Sequence, residues 1–219
     1  MKGFARPGGI VFDCDGVLID SNRVKGAAFR AALAGESEPG IARFFADFHA
    51  WPGQTRFALF ARYFRDSAGY ADWERRVTRS SEGFATTMQE VLTACQPLPG
   101  IDRYLDWLTS EGVPCAVVSA AQKADLDRVV VARGWSRHFV RICGAERGKP
   151  AEIEALLADG LLKRPLLYFG DTIVDMEAAE AVGARFCFVS SASEWTDGAA
   201  RCGERGHAVI ADFEAAPRW

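Results

Sequence analysis

Short apolar runs, each followed by glycine or polar residues, recur along most of this chain. The run Ile10-Val11-Phe12 is uniformly apolar and too short for an amphipathic helix, so it predicts a buried strand. Similar runs predict further strands at 115–118, 139–142, 166–169, 186–189 and 208–210. Continuous apolar runs of this kind are typical of a parallel sheet that is covered on both faces.

Helical periodicity separates most of these runs. Apolar residues spaced by three and four predict helices over about 101–111, 124–133, 151–158 and 173–182, and most of them end at a glycine. From Ser190 to Trp219 we expect mainly loops around the short strand at 208–210. Strands that alternate with helices favour an α/β fold with a doubly wound parallel sheet.

One long stretch lacks this alternation. Residues 21–95 carry a helical pattern rich in phenylalanine, alanine and arginine, and they contain no clear strand. The turn-forming sequence Pro97-Leu98-Pro99-Gly100 follows this stretch. We therefore expect a core domain built from residues 1–20 and 96–219, with an α-helical subdomain inserted over 21–95.

Composition narrows the classes of function. The 26 basic residues are scattered and the formal charge is -3, so no basic surface for nucleic acid is expected. The six cysteines form no CxxC pair, which argues against zinc or a disulfide framework and favours the cytoplasm. The apolar stretch before the first acidic residues is too short for a signal peptide or a membrane span.

Polar residues cluster where the predicted strands end. In an open parallel sheet, ligands bind beyond the carboxyl ends of the strands, so these side chains should converge on one crevice. The residues concerned are two acids after the first strand, a hydroxyl after the second, a lysine before a helix and two acids near 170: Asp13, Asp15, Ser119, Lys149, Asp171 and Asp175.

Four carboxylates in one crevice repel one another unless a cation offsets their charge. A set of ligands that contains only oxygen points to Mg²⁺. A magnesium ion beside a carboxylate and a lysine can stabilise the negative charge on a phosphoryl group during its transfer. The expected substrate is therefore a small phosphate ester.

The same residues carry a family resemblance. The segments Asp13–Asp20, Ser119, Gly148-Lys149-Pro150 and Gly170–Asp175 resemble, in order, the four motifs of the haloacid dehalogenase superfamily. The resemblance is to its helical-cap branch, which includes phosphoglycolate phosphatases and β-phosphoglucomutases. It implies a Rossmann-like core with a helical cap inserted after the first strand.

The resemblance also implies a role for each site residue. Asp13 would be the nucleophile that forms an aspartyl phosphate, and Asp15 would be the general acid and then the general base. Ser119 and Lys149 would bind phosphoryl oxygens. The Mg²⁺ site would comprise Asp13, the backbone carbonyl of Asp15, Asp171 and Asp175, with Asp175 acting through a water or instead orienting Lys149.

Asp15 favours phosphate-ester chemistry, because dehalogenases and phosphonatases of this superfamily lack an aspartate at that position. We expect a phosphatase acting on a sugar phosphate or a phosphoglycolate-like compound. Ala120-Ala121 departs from the family pattern, in which an amide or hydroxyl residue often follows the serine. In the predicted cap, Arg56 is the candidate for binding an anionic or polyhydroxyl part of the substrate.

Two alternatives share the same motifs. A phosphomutase of the β-phosphoglucomutase type would use the same core residues, and a binding or regulatory module would keep the fold without turnover. Each motif taken alone also has a purely structural interpretation. The segment Gly170–Asp175, for example, can be a helix cap formed by Asp171 or Thr172.

Overall fold

The computed structural model describes residues 5–51, 53–92 and 94–219. The chain forms two compact units, of which one comprises Met1–Asn22 with Cys95–Trp219 and the other comprises Arg23–Ala94. We call the first the core unit and the second the helical unit. Within the described ranges, no helix combines the length and the apolar character needed to cross a bilayer.

The helical unit is built around an aromatic cluster. Phe29 lies 4.3 Å from Phe84 and 5.2 Å from Phe44 between ring centroids, and such pairs contribute about 0.5–1.5 kcal/mol each beyond the area that they bury. Thr55 caps the third helix by accepting a hydrogen bond from the Ala58 N–H. The helices are α1 (Asn22–Ala32), α2 (Glu38–Ala50), α3 (Arg56–Ala61), a π-helix over Arg62–Ser67 and α4 (Trp73–Leu92).

The core unit contains a sheet of six parallel strands in the order β3-β2-β1-β4-β5-β6. The chain runs outward from β1 through β2 to β3 on one side, and from β4 through β5 to β6 on the other. The direction therefore reverses between β1 and β4, which is the topological switch point of the sheet. The strands are β1 (Gly9–Phe12), β2 (Cys115–Val118), β3 (Phe139–Cys143), β4 (Leu166–Gly170), β5 (Arg185–Val189) and β6 (Ala208–Ile210).

Helices cover both faces of this sheet, which confirms the predicted α/β class. On one face, Val11 and Tyr168 belong to a buried cluster with Ile153 and Met176 of the covering helices. On the other face, Phe12 and Phe169 stack at 5.2 Å. The helices are α5 (Ile101–Ser110), α6 (Lys123–Ala132), α7 (Lys149–Ala158), α8 (Ile173–Ala181) and α9 (Gly198–Glu204).

The expectation that residues 190–219 are mainly loops around one strand was wrong over Gly198–Glu204, which forms α9. Two glycines lower the helix propensity of this segment, so its local sequence gives a poor helical signal. Cys202 is fully buried in the core cluster, and its packing stabilises a helix that propensity alone does not predict.

All six cysteines are buried free thiols. Burial raises the pKa of Cys115 to about 12 and that of Cys202 to about 11. A thiol with such a raised pKa stays protonated at neutral pH, and the nucleophilic form of cysteine is the thiolate. Neither of these two thiols is therefore suited to act as a nucleophile.

Candidate functional site

Three predicted site residues directly follow neighbouring strands. Asp13 follows β1, Ser119 follows β2 and Asp171 follows β4, and β1 lies between the other two in the sheet. The Asp13 N–H donates to the Phe169 carbonyl at 3.0 Å, which fixes the end of β1 against β4. The parallel register therefore places three polar side chains at one edge of the sheet, beside the switch point.

Lys149 is the first residue of α7, and its ammonium nitrogen joins two carboxylates. It lies 3.0 Å from Asp13 Oδ1 and 2.5 Å from Asp175 Oδ1. Burial alone would lower the pKa of Lys149, but attraction to these carboxylates outweighs it and holds the pKa well above its ordinary value. The ammonium is therefore charged at neutral pH and lies against the predicted nucleophile.

Asp175 is fully buried, and protein donors contact both of its carboxylate oxygens. Oδ1 accepts from Lys149 and, at 2.8 Å, from the Tyr168 hydroxyl. Oδ2 accepts from the Thr172 hydroxyl at 2.6 Å and from the Thr172 N–H at 3.1 Å. Burial would raise the pKa of Asp175, but Lys149 and these hydrogen bonds lower it, so the group is a carboxylate.

The same contacts form a reciprocal helix cap. The Thr172 hydroxyl oxygen accepts from the Asp175 N–H at 3.3 Å while the Asp175 side chain accepts from Thr172. The segment is therefore the helix cap that its sequence also allowed. The same segment also places Asp175 against Lys149, so one carboxylate both caps the helix and contacts the predicted site.

Three carboxylates lie close enough to hold one cation. Asp13, Asp171 and Asp175 each offer an oxygen, and these atoms lie within 4.8 Å of one another in buried positions. A set of carboxylate oxygens suits a hard divalent cation such as Mg²⁺. Gly16 has a φ of 75°, and a Cβ there would collide with the Asp171 carboxylate, so only glycine leaves this space open. The residues present therefore fit the expected metal.

Asp15 and Ser119 are both buried and have defined local contacts. The Ser21 hydroxyl donates to Asp15 Oδ1. The Ser119 oxygen accepts from the Ala121 N–H at 3.3 Å, a contact that does not use the O–H donor of the serine. Both side chains can therefore take part in proton transfer or phosphate binding.

Arg56 belongs to the helical unit, where it is the first residue of α3. Its guanidinium carbon lies 5.3 Å from the centre of the Phe57 ring and 5.7 Å from that of Phe84. These distances are within the range of cation–π attraction. Arg56 thus contacts aromatic rings of its own unit, and its role toward a substrate stays a prediction.

Tyr168 and Asn22 are among the residues that contact the site but were not predicted from the sequence. Tyr168 lies in an apolar run that predicted only a strand, although a buried tyrosine hydroxyl usually needs a hydrogen-bond partner. Asn22 donates to Asp171 Oδ2 at 3.0 Å, but the two residues are separated by 149 positions in the chain. In the sequence, nothing distinguished Asn22 except that it is a polar residue directly after Asp20-Ser21.

Comparisons with known proteins identify the family of this chain. The model of the haloacid dehalogenase-like hydrolase family matches residues 8–183. A phosphoglycolate phosphatase of Pectobacterium atrosepticum is 28% identical over 184 residues, which is 81% of this chain and 77% of that protein. A phosphoglycolate phosphatase of Cereibacter sphaeroides is 30% identical over 187 residues, covering 81% and 83% of the two chains.

Solved structures share the fold at lower identity. A predicted phosphoglycolate phosphatase from Haemophilus somnus superposes with a TM-score of 0.77 and 20% identity, and 96% of each chain is covered. A β-phosphoglucomutase from Clostridium difficile gives 0.69 and 19%, covering 95% of this chain and 92% of the other. With its strand-end acids and its buried lysine, the chain belongs to the haloacid dehalogenase-like hydrolase family and is a phosphatase of that family.

Proposed function

We propose that this protein is a Mg²⁺-dependent cytoplasmic phosphatase that hydrolyses a small phosphorylated metabolite through a phosphoaspartate on Asp13. The observation that carries the proposal is the contact between the Lys149 ammonium and Asp13 at 3.0 Å. It places a positive charge against a buried carboxylate at the edge of the sheet where Ser119 and Asp171 also lie, and an opposite charge favours the ionised form of a carboxyl group. An ionised carboxylate is the form that can attack phosphorus.

In the first step, an Asp13 oxygen bonds to phosphorus and the ester bond to the leaving group breaks. Asp15 gives its proton to the departing oxygen. In the second step, Asp15 takes a proton from water, the water oxygen bonds to phosphorus, and the bond to Asp13 breaks. Phosphate leaves, and both aspartates return to their starting states.

Mg²⁺, when bound, would offset the charge of the carboxylates and of the phosphoryl oxygens. Asp13, Asp171 and the Asp15 carbonyl would hold it. Both Asp175 oxygens already accept hydrogen bonds from protein donors, which supports a role in orienting Lys149 rather than in direct ligation. Lys149 and Ser119 would donate hydrogen bonds to the phosphoryl oxygens.

The substrate class rests on the sequence relatives. Proteins named phosphoglycolate phosphatase match about four-fifths of this chain at 27–30% identity. They support a phosphoglycolate-like compound as the substrate, and a sugar phosphate is the other candidate class.

Arg56 is the proposed contact for the anionic or polyhydroxyl part of that substrate. Arg56→Ala should raise the KM for the best substrate with a smaller effect on kcat, because a binding contact is lost while the reacting groups remain. Arg75→Ala is the control, since Arg75 lies in the same unit and is exposed. An unchanged KM in the Arg56 variant would remove Arg56 from the site.

The decisive experiment measures phosphate release from phosphoglycolate, sugar phosphates and nucleotides, with Mg²⁺ and with a chelator. Wild type should release phosphate only with the metal, and Asp13→Asn should be inactive although folded. Asp127→Asn serves as a control, because Asp127 forms an exposed ion pair with Lys123. Release by Asp13→Asn at the wild-type rate would contradict the proposal, and isomerisation of a sugar phosphate without phosphate release would favour a mutase.

A further inference from the structure

Asn22 joins two parts of the core unit that are distant in sequence. Its side-chain nitrogen lies 3.0 Å from Asp171 Oδ2 and 2.8 Å from the carbonyl oxygen of Ala192. The residue is 9% exposed, so water has little access to either contact. None of the reaction steps described above uses this amide.

The two contacts define which way the amide points. The nitrogen of an asparagine side chain carries two N–H donors, and both of its partners here are acceptors. A flipped amide would place its oxygen against the Asp171 carboxylate and the Ala192 carbonyl, where like partial charges repel. The hydrogen-bond network therefore permits one orientation, in which Asn22 donates to Asp171.

Two further features surround this contact. The Ser193 hydroxyl donates to the backbone carbonyl of Asp171 at 2.5 Å, so the segment that carries Ala192 is also attached to Asp171. A Cβ on Gly16 would lie 2.6 Å from the Asn22 nitrogen, so glycine at this position leaves the amide its space. Asp171 is thus held at its carboxylate by Asn22 and at its backbone by Ser193.

The chemistry of an amide suits a group that positions a metal ligand. A lysine or arginine in its place would orient the carboxylate but would also cancel the charge that attracts a cation. An amide donates a hydrogen bond and adds no net charge, so Asp171 keeps its charge while its rotation is restricted. Partners of this kind typically change metal affinity 10–100-fold when they are removed.

We propose that Asn22 is a positioning residue that orients the Asp171 carboxylate for the divalent cation. This inference rests on the proposed function, in which Asp171 is a metal ligand. Asn22→Ala should weaken Mg²⁺ binding roughly 10–100-fold. At saturating Mg²⁺, kcat and the KM for the phosphate ester should return to near wild type, because the reacting groups are unchanged.

The test is calorimetric titration of Mg²⁺ into the full chain without substrate, so that its readout does not depend on turnover. Wild type should bind, Asp171→Asn should lose binding, and Asn22→Ala should fall between them. Ser190→Ala is the matched control, since its hydroxyl donates to the Ile210 carbonyl at 3.2 Å in the same segment without contacting Asp171. Its Mg²⁺ affinity should equal that of wild type.

Circular dichroism and urea unfolding check that each variant folds. If Asn22→Ala does not fold, Asn22→Ser replaces it, because serine keeps a polar side chain but is too short to make both contacts. A folded Asn22 variant that binds Mg²⁺ within twofold of wild type, while Asp171→Asn does not bind, overturns this inference alone. Failure of wild type to bind, or equal binding by Asp171→Asn, overturns the proposed metal site itself.

Discussion

The ammonium nitrogen of Lys149 lies 2.5 Å from Oδ1 of Asp175, and both side chains are buried. The same nitrogen lies 3.0 Å from Asp13, so one cation serves two carboxylates. This arrangement attaches the start of α7 to the end of β1 and to the first turn of α8. Removing the ammonium would leave these two buried carboxylates without the cation that they share.

Lys149→Met should therefore lower the free energy of unfolding by about 3–5 kcal/mol, the usual cost of breaking a buried ion pair. Urea unfolding at pH 7 without added metal measures it. Lys123→Met is the control, because the exposed pair of Lys123 with Asp127 should contribute about 1 kcal/mol or less. Equal losses in the two variants would show that the buried contact contributes no more than a surface pair.

The loss caused by Lys149→Met should be constant over a wide pH range. Because the pKa of Asp175 is lowered, its carboxylate is charged at any pH above the ordinary aspartate pKa of about 3.9. Because the pKa of Lys149 is raised, its ammonium is charged at any pH below the ordinary lysine pKa of about 10.4. The contribution is thus fully present from about pH 5 to pH 9. It should decline as the pH falls through the lowered pKa of Asp175 or rises through the raised pKa of Lys149.

Tyr168→Phe should destabilise the protein more than Tyr104→Phe. The Tyr168 hydroxyl donates to a charged carboxylate at 2.8 Å, whereas that of Tyr104 donates to the neutral Pro217 carbonyl at 3.1 Å. Hydrogen bonds to charged groups contribute about 1.5–3 kcal/mol and neutral ones about 0.5–1.5 kcal/mol. Because both tyrosines are buried, the difference between the two variants in the free energy of unfolding, measured with urea, reports the effect of the acceptor's charge. The reverse order of stability would contradict this account of the Asp175 contacts.

Gly16→Ala should abolish most activity, whereas Gly112→Ala should not. Both glycines have a positive φ, of 75° and 65°, so each substitution carries a backbone cost of roughly 1–2 kcal/mol. Only at Gly16 would the added Cβ collide with Asp171. Around a Cβ on Gly112, the described residues other than its two chain neighbours place no atom within 4 Å. Mg²⁺ titration and phosphate release on folded variants separate the two effects. Similar activity in both would show that the space beside Asp171 is unimportant.

Asp15→Asn should reduce kcat/KM by roughly 100–10,000-fold for an alkyl phosphate, the usual contribution of general acid–base catalysis. For p-nitrophenyl phosphate the loss should be smaller, because its leaving group departs without a proton. Comparing both substrates with wild type and variant measures the difference. An equal loss for the two substrates would indicate that Asp15 does not protonate the leaving group.

The sheet was predictable because its strands carry short, continuous apolar runs. The run at Cys115–Val118 matches β2 at both ends, and the run that predicted β4 ends one residue early, at Phe169. The segment Gly198–Glu204 was not predictable, because its helix depends on burial of Cys202 in the core. Local sequence therefore determines the strands better than it determines a short, glycine-containing helix.

Strand ends were informative about the site because a parallel sheet brings them to one edge. Asp13, Ser119 and Asp171 could be placed there from the sequence alone. The contacts of Tyr168 and Asn22 could not, since they depend on side-chain directions and on register between segments far apart in the chain. Local pattern identifies which residues can react, while packing determines which residues hold them in place.

The central claim is that Asp13 carries the phosphoryl group during turnover. Wild type and Asp15→Asn are mixed with p-nitrophenyl phosphate and Mg²⁺, quenched in acid and digested with pepsin, and the peptides are analysed by mass spectrometry. The account predicts a phosphoryl group on Asp13, more abundant in Asp15→Asn because its removal by water is slowed, and absent from Asp13→Asn. Turnover by wild type with a phosphoryl group on another residue, or turnover by folded Asp13→Asn, would contradict the account.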